Sequence, residues 1–160
     1  MNVQISGDGT IGLSGINPFL FDLLQGIVRS GASDDPAVGD RFFPAPVEGG
    51  GERDLRDDWK ALVQPELHAG FLEAREIVQA DLRAADEAAD GFAFQIPVRH
   101  ADAWMNALSQ ARLALAIENR FTESELAAEM PAAAGGPRDL ALLQMNFYAF
   151  LQEWLVRISD

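Results

Sequence analysis

The sequence contains no cysteine among its 160 residues, which excludes a disulfide framework, a thiolate nucleophile and a zinc–thiolate site. Histidine is also scarce, and neither His68 nor His100 follows a glutamate at the Glu-x-x-His spacing of di-iron bundles. The chain has neither the Gly-rich phosphate loop that ends in Lys-Ser/Thr nor a G-x-S-x-G nucleophile motif. These absences predict no catalytic residues, no metal site and no cofactor, and they favour a non-enzymatic role.

Basic residues are outnumbered about two to one by acidic ones, 12 against 25, and Lys60 is the only lysine. The formal net charge is −13. Nucleic acids and anionic membranes are bound by clusters of lysine and arginine, so we expect neither as a partner. No apolar run approaches the roughly 20 residues that span a bilayer, and residues 1–6 do not resemble a secretory signal. The sequence therefore predicts a cytoplasmic protein.

Two segments, residues 102–119 and 139–159, read as helices that are apolar almost all the way round. The only charge between Asp102 and Glu118 is Arg112, and there is none between Asp139 and Glu153. A helix without a polar face needs neighbours on several sides. Both helices should therefore lie in the middle of a helical bundle, and they could extend into a subunit interface.

The remaining pattern predicts a mainly α single domain over residues 1–160, with a small N-terminal β-hairpin. Asp8-Gly9 lies between two alternating runs, which is a strong hairpin signal. The overlapping pattern G-x-G-x-x-G at residues 7–12 is assigned to this turn, because a dinucleotide site needs a helix directly after the strand. Residues 92–97 are strand-like and could add a third strand to the hairpin.

Helix boundaries follow from capping residues and prolines. Asn17-Pro18 predicts one helix start, and residues 122–125 form a capping box that predicts another. A short helix is expected over residues 55–63, and Pro65 should open a second one that runs to about residue 89. Residues 31–53, rich in Gly, Pro and Asp, are expected to form a long loop that is either functional or disordered.

Arg112 is the residue with two sharply different interpretations. A buried guanidinium must be paired, because an isolated buried charge costs several kcal/mol. One interpretation is a structural ion pair with Glu153 or Glu66. The other is that Arg112 lines an interhelical pocket and holds the carboxylate or phosphate of a ligand.

Arg41, Phe42 and Phe43 are the apolar exception within the long loop. Aromatic side chains in such a loop either fold back to fill a gap in the core or form an exposed patch that a partner grips. The sequence leaves both interpretations open.

Four motifs in order carry a family resemblance: the Asp-Gly hairpin, Arg41-Phe42-Phe43-Pro44, the run Leu62-Val63-Gln64-Pro65-Glu66-Leu67, and the two apolar helices. The chain resembles a bacterial family of small acidic helical proteins catalogued as domain of unknown function number two thousand and seventeen. The resemblance implies a fold and no chemistry. Members are often encoded near an adaptor of the Clp protease, so it also implies a link to regulated proteolysis.

Together these observations predict a cytoplasmic protein-interaction or regulatory module. It would bind another protein through residues 41–44, or through the exposed side of the last helix. In the second mode the partner could be another copy of the chain, giving a homodimer. The alternative is a protein or enzyme that binds a small carboxylate or phosphate at Arg112.

Overall fold

The computed structural model describes residues 1–43, 53–127 and 135–159. Among these residues the chain begins with two strands, continues through five helical segments, returns to two further strands, and ends in a helical half. The elements are β1 Asn2–Ile5, β2 Ile11–Ile16, α1 Pro18–Gly31, α2 Pro36–Phe42, α3 Arg53–Asp58, a π-helical segment Trp59–Val63, α4 Gln64–Arg83, β3 Asp86–Ala88, β4 Gly91–Ile96, a 3-10 turn Val98–His100, α5 Ala101–Glu118, α6 Glu123–Ala127 and α7 Pro137–Ser159. The mainly α prediction is confirmed.

The predicted N-terminal hairpin is present, and it belongs to a four-stranded antiparallel sheet in the order β1-β2-β4-β3. Gly9 takes a positive φ of 82° in the turn, where the backbone N–H of Thr10 donates to the Asp8 carboxylate. The expected third strand is β4, which pairs with β2. Its first residue, Gly91, has a φ of 118°, and an added Cβ there would lie 2.5 Å from the carbonyl oxygen of Ile16.

The strand β3 departs from the sequence prediction, which continued the preceding helix to about residue 89. The helix ends instead at Arg83, and Asp86–Ala88 pairs with β4 at the edge of the sheet. Asp, Glu and Ala are poor strand formers, so this strand forms because the chain turns back onto β4. Its exposed acids discourage pairing with other chains at that edge.

One face of the sheet forms one side of the hydrophobic core. Ile11, Leu13, Phe94 and Ile96 are buried on it, and the ring of Phe94 stacks on Trp104 of α5 at 5.7 Å. Helix α5 is central, as predicted, because it packs against α1, α2, α4 and α7. The core lies between the sheet and α5, and α1, α4 and α7 add buried residues to it.

The last helix does not share this central position, so the prediction was wrong for α7. Its buried residues follow one face, and Leu140, Phe150 and Val156 on other positions are exposed. Residues facing the core are Ala141, Met145, Tyr148, Leu151, Gln152 and Leu155. Helix α7 carries apolar residues all the way round, but only one side of it is buried, because it packs mainly against α5.

The expected loop over residues 31–53 is only partly a loop. Pro36–Phe42 forms α2, whose N-cap Asp35 accepts a hydrogen bond of 2.9 Å from the backbone N–H of Ala37. Arg41 and Phe42 are therefore helical, and Phe43 is the C-cap. Pro44 and the rest of the expected loop up to residue 52 lie outside the described residues.

Candidate functional site

A stripe of apolar residues runs along the helical backbone from Arg53 to Arg83, through α3, the π-helical segment and α4. In the second half of this run Ala74, Val78 and Leu82 are buried in the core. In the first half the members of the stripe are exposed or half-buried: Leu55, Trp59, Val63 and Leu67. We call these four residues the exposed stripe.

The π-helical segment keeps the exposed stripe in line with the buried half. A spacing of four residues drifts around an α-helix, which has 3.6 residues per turn. The wider i→i+5 turn at Trp59–Val63 offsets part of that drift. By this spacing we expect Val63 and Leu55 to fall on the same side of the helical run as the buried Val78.

Four rings form a cluster where α2 meets α4. The centroid of Phe71 lies 5.6 Å from that of Phe42 and 5.5 Å from that of Phe43, and Phe43 lies 5.7 Å from His68. We call Phe42, Phe43, His68 and Phe71 the aromatic cluster. Phe42 and Phe43 are half-buried, whereas Arg41 beside them is exposed. The two phenylalanines thus fold back onto α4 and still reach the surface.

The aromatic cluster borders a cavity of about 160 Å³ that Arg75 also lines. The Nη1 atom of Arg75 donates to the carbonyl oxygen of Gly31 at 2.6 Å and to Oε1 of Gln110 at 2.9 Å. Gln110 is itself fixed, because its Nε2 donates to the carbonyl oxygen of Phe71 and to Asn106. Burial lowers the pKa of Arg75, and the nearby Glu76 carboxylate opposes that shift.

Arg112 occupies a separate depression between α5 and α7. Its Nη1 donates to Oε1 of Gln152 at 2.7 Å, and its Nε is buried without a hydrogen-bond partner. Glu153 and Arg157 line the same depression. Within the described part of the chain no carboxylate lies within ion-pair distance of Arg112, so an amide stands where an acid was expected.

Glu66 is not part of either arrangement. It lies exposed in the first turn of α4. The structure therefore brings Phe42 and Phe43 together at one site, and Arg112 and Glu153 together at another.

Sequence reasoning missed a buried polar group at the end of α4. Asp81 accepts hydrogen bonds from Nε1 of Trp104 at 2.8 Å and interacts with Nδ1 of His100 at 2.9 Å. The signal was present, since Asp81 interrupts the core stripe between Val78 and Leu82. Over residues 1–43, 53–127 and 135–159 no group of three or more acidic or histidine side chains could hold a metal ion.

No helix in the described part of the chain is long and apolar enough to cross a membrane. A family model described as a domain of unknown function (DUF2017) matches residues 9–159. No curated protein and no solved structure matches the chain.

Proposed function

This chain belongs to the DUF2017 family, and on that premise we propose that it is a cytoplasmic protein-interaction or regulatory module without catalytic activity. The proposed interaction surface consists of the exposed stripe and the adjoining aromatic cluster. It includes Phe42 and Phe43, which the sequence singled out, and extends the surface along α4 and the segments before it.

The continuity of one apolar stripe from the core onto the surface is the observation that carries this proposal. Burying an apolar side chain is favourable by about 1.5–3 kcal/mol, and yet Leu55, Val63 and Leu67 remain accessible. Beside this stripe Leu62 is 69 % exposed. Contiguous exposed apolar residues on a soluble domain mark interaction sites, and a helix that presents them every turn suits a groove or a second helix.

Charge specifies the kind of partner. The acids Asp57, Asp58, Glu66 and Glu73 are exposed around the stripe and outnumber the exposed Lys60 beside Trp59, within a chain of net charge −13. Complementary charges at the rim of an interface speed association and exclude partners of the wrong sign. We therefore infer a partner surface that is apolar at its centre and basic at its rim.

Site-specific photo-cross-linking in native cells tests the proposal. A photoreactive residue replaces Leu67 in one variant and Val98 in a matched control. Val98 is also an exposed apolar residue, but it is not part of the proposed interaction surface. We expect position 67 to give a cross-link to an apolar segment flanked by basic residues, and position 98 to give none. Identical products at both positions, or no product at position 67, would contradict the proposal.

A third variant with the photoreactive residue at Leu140 examines the alternative surface on α7. Leu140 is 42 % exposed, so it reports on the exposed side of the last helix. Cross-links from Leu140 alone would move the interface there. A cross-linked product of twice the chain's mass, with peptides of this chain alone, would identify the partner as a second copy.

The second candidate function is the binding of a small carboxylate or phosphate at Arg112. It is favoured by one observation: the guanidinium is held by the neutral Gln152 amide, and no described carboxylate pairs with it. Inorganic phosphate and acetate that raise the melting temperature of the wild type, and not of an Arg112→Leu variant, would support this function.

A further inference from the structure

We infer that the cavity beside the aromatic cluster binds the C-terminal residue of a partner protein. Its carboxylate would pair with Arg75, and its apolar side chain would lie among Phe42, Phe43 and Phe71. This inference rests on the proposed function, because the cavity opens within the proposed interaction surface. It adds a chemical identity to the part of the partner that is recognised there.

Arg75 has an unused hydrogen-bonding edge. Its Nη1 is engaged by Gly31 and Gln110, whereas Nε and Nη2 have no hydrogen-bond partner among the described residues. Neither atom is fully buried, because Arg112 Nε is the one fully buried side-chain nitrogen or oxygen without a partner among the described residues. An Nε–Nη2 edge presents two parallel N–H donors, which is the geometry that matches a carboxylate.

The charge of Arg75 is uncompensated by any direct pair. Arg29 pairs with Asp22 and Arg138 with Glu125, but the direct partners of Arg75 within the described residues are a carbonyl and an amide. Burial lowers the pKa of Arg75, which means that the folded protein disfavours this cation. A bound carboxylate would remove that penalty, since an opposite charge stabilises the charged form.

The rest of the lining fits an apolar group of limited size. Phe42, Phe43 and Phe71 lie at centroid distances of 5.5–6.4 Å from one another. The cavity of about 160 Å³ is comparable to an engineered cavity of about 150 Å³ that accommodates benzene. A leucine or phenylalanine side chain is of this order of size.

The two features together select a chain terminus. Arg75 and the rings line one small cavity, so the carboxylate and the apolar group lie close together in the ligand. A C-terminal residue carries both on one Cα, whereas an internal segment would have to fit two side chains and a continuing backbone into the same cavity. Asp34 also lines the cavity, and its negative charge disfavours a doubly charged phosphate more strongly than a single carboxylate.

Peptide binding to the full chain tests the inference. The probes are fluorescent pentapeptides that end in phenylalanine, leucine or alanine, each with a free C-terminal carboxylate or a C-terminal amide. For phenylalanine and leucine we expect the acid to bind at least about tenfold more tightly than the amide, because a charge-assisted pair is lost. We expect the alanine peptide to bind more weakly, because it leaves the cavity unfilled.

Variants of the protein assign the effect to Arg75. An Arg75→Gln variant should lose the preference for the acid, whereas Arg83→Gln, an exposed arginine on the same helix, should retain it. Arg75→Lys keeps the charge without the fork and should retain only part of the preference. Free N-acetylphenylalanine distinguishes the source of the ligand: binding as tight as the pentapeptide would indicate a small carboxylic acid and overturn the C-terminal assignment.

Equal binding of acid and amide to the wild type, or no binding of any of the peptides, would overturn the inference without recourse to a variant. If the peptides fail in this way and position 67 still gives its cross-link, the interaction surface is supported and the carboxylate site is not. Absence of both the cross-link and peptide binding would overturn the two proposals together.

Discussion

The carboxylate of Asp81 lies 2.8 Å from the indole Nε1 of Trp104 and accepts its hydrogen bond in the interior of the protein. The same carboxylate lies 2.9 Å from Nδ1 of His100, at the start of α5. Asp81 stands near the end of α4, so this group joins the end of one helix to the beginning of the next. It also satisfies the indole N–H of the largest fully buried side chain.

We predict that Asp81→Asn destabilises the fold by about 1–3 kcal/mol. The asparagine oxygen can accept from Trp104, and its amide N–H can donate to Nδ1 of His100, but the charge-assisted bonds of the carboxylate are then replaced by weaker neutral ones. Urea unfolding measures the difference in free energy, with Asp86→Asn as the control because Asp86 is exposed on β3. Equal stability of the two variants would show that the Asp81 group contributes nothing to the fold.

Tyr148 gives a second prediction, which concerns alkaline pH. Its hydroxyl donates to the carbonyl oxygen of Leu23 at 2.6 Å, and burial raises its pKa above the ordinary value of 10.0. The neutral phenol is thus the form that the fold stabilises. Its contribution is complete below about pH 10, and it declines as the pH rises towards the raised pKa, because the unfolded chain ionises first.

The composition makes this test unusually clean, since Tyr148 is the only tyrosine and Lys60 the only lysine. We expect the unfolding free energy of the wild type to fall between about pH 10 and pH 11 with a slope of up to about 1.4 kcal/mol per pH unit. Tyr148→Phe should be about 0.5–1.5 kcal/mol less stable at neutral pH and should lack the alkaline decline. An identical alkaline decline in the variant would assign the effect to another group.

Capping chemistry explains why several helix boundaries could be predicted from the sequence. Asn17 accepts from the backbone N–H of Leu20 at 2.8 Å, as the Asn17-Pro18 pair predicted. Thr122 and Glu125 form the expected reciprocal capping box. Asp35-Pro36 carries the same signal as Asn17-Pro18, and it begins α2. The sequence predicts a loop there because the segment is rich in Gly and Pro, although Asp35-Pro36 is a helix-start signal.

The candidate site was less predictable, because it depends on contacts between distant parts of the chain. The sequence singled out Phe42 and Phe43, but nothing in the local pattern links them to Phe71, which lies 28 positions beyond Phe43 along the chain. Arg75 carries no local signal in the sequence, and its hydrogen bonds to Gly31 and Gln110 come from the packing of α4 against other elements. A local pattern shows which face of a helix is apolar. It does not show how much of that face is packed against the rest of the protein.

The third prediction concerns Arg112, whose buried Nε lacks a partner and whose Nη1 is held by Gln152. We expect Arg112→Leu to change the unfolding free energy by less than about 1 kcal/mol or to raise it, since no described ion pair is broken and the removal of an unsatisfied buried donor offsets the bond that Oε1 of Gln152 loses. The matched variant is Gln152→Leu, which also removes the bond that Nε2 of Gln152 donates to Ser109. Urea unfolding of both single variants and the double variant measures the coupling between the two side chains. A loss of about 3–5 kcal/mol in Arg112→Leu would match a broken buried ion pair, and it would show that a carboxylate pairs with Arg112 in solution.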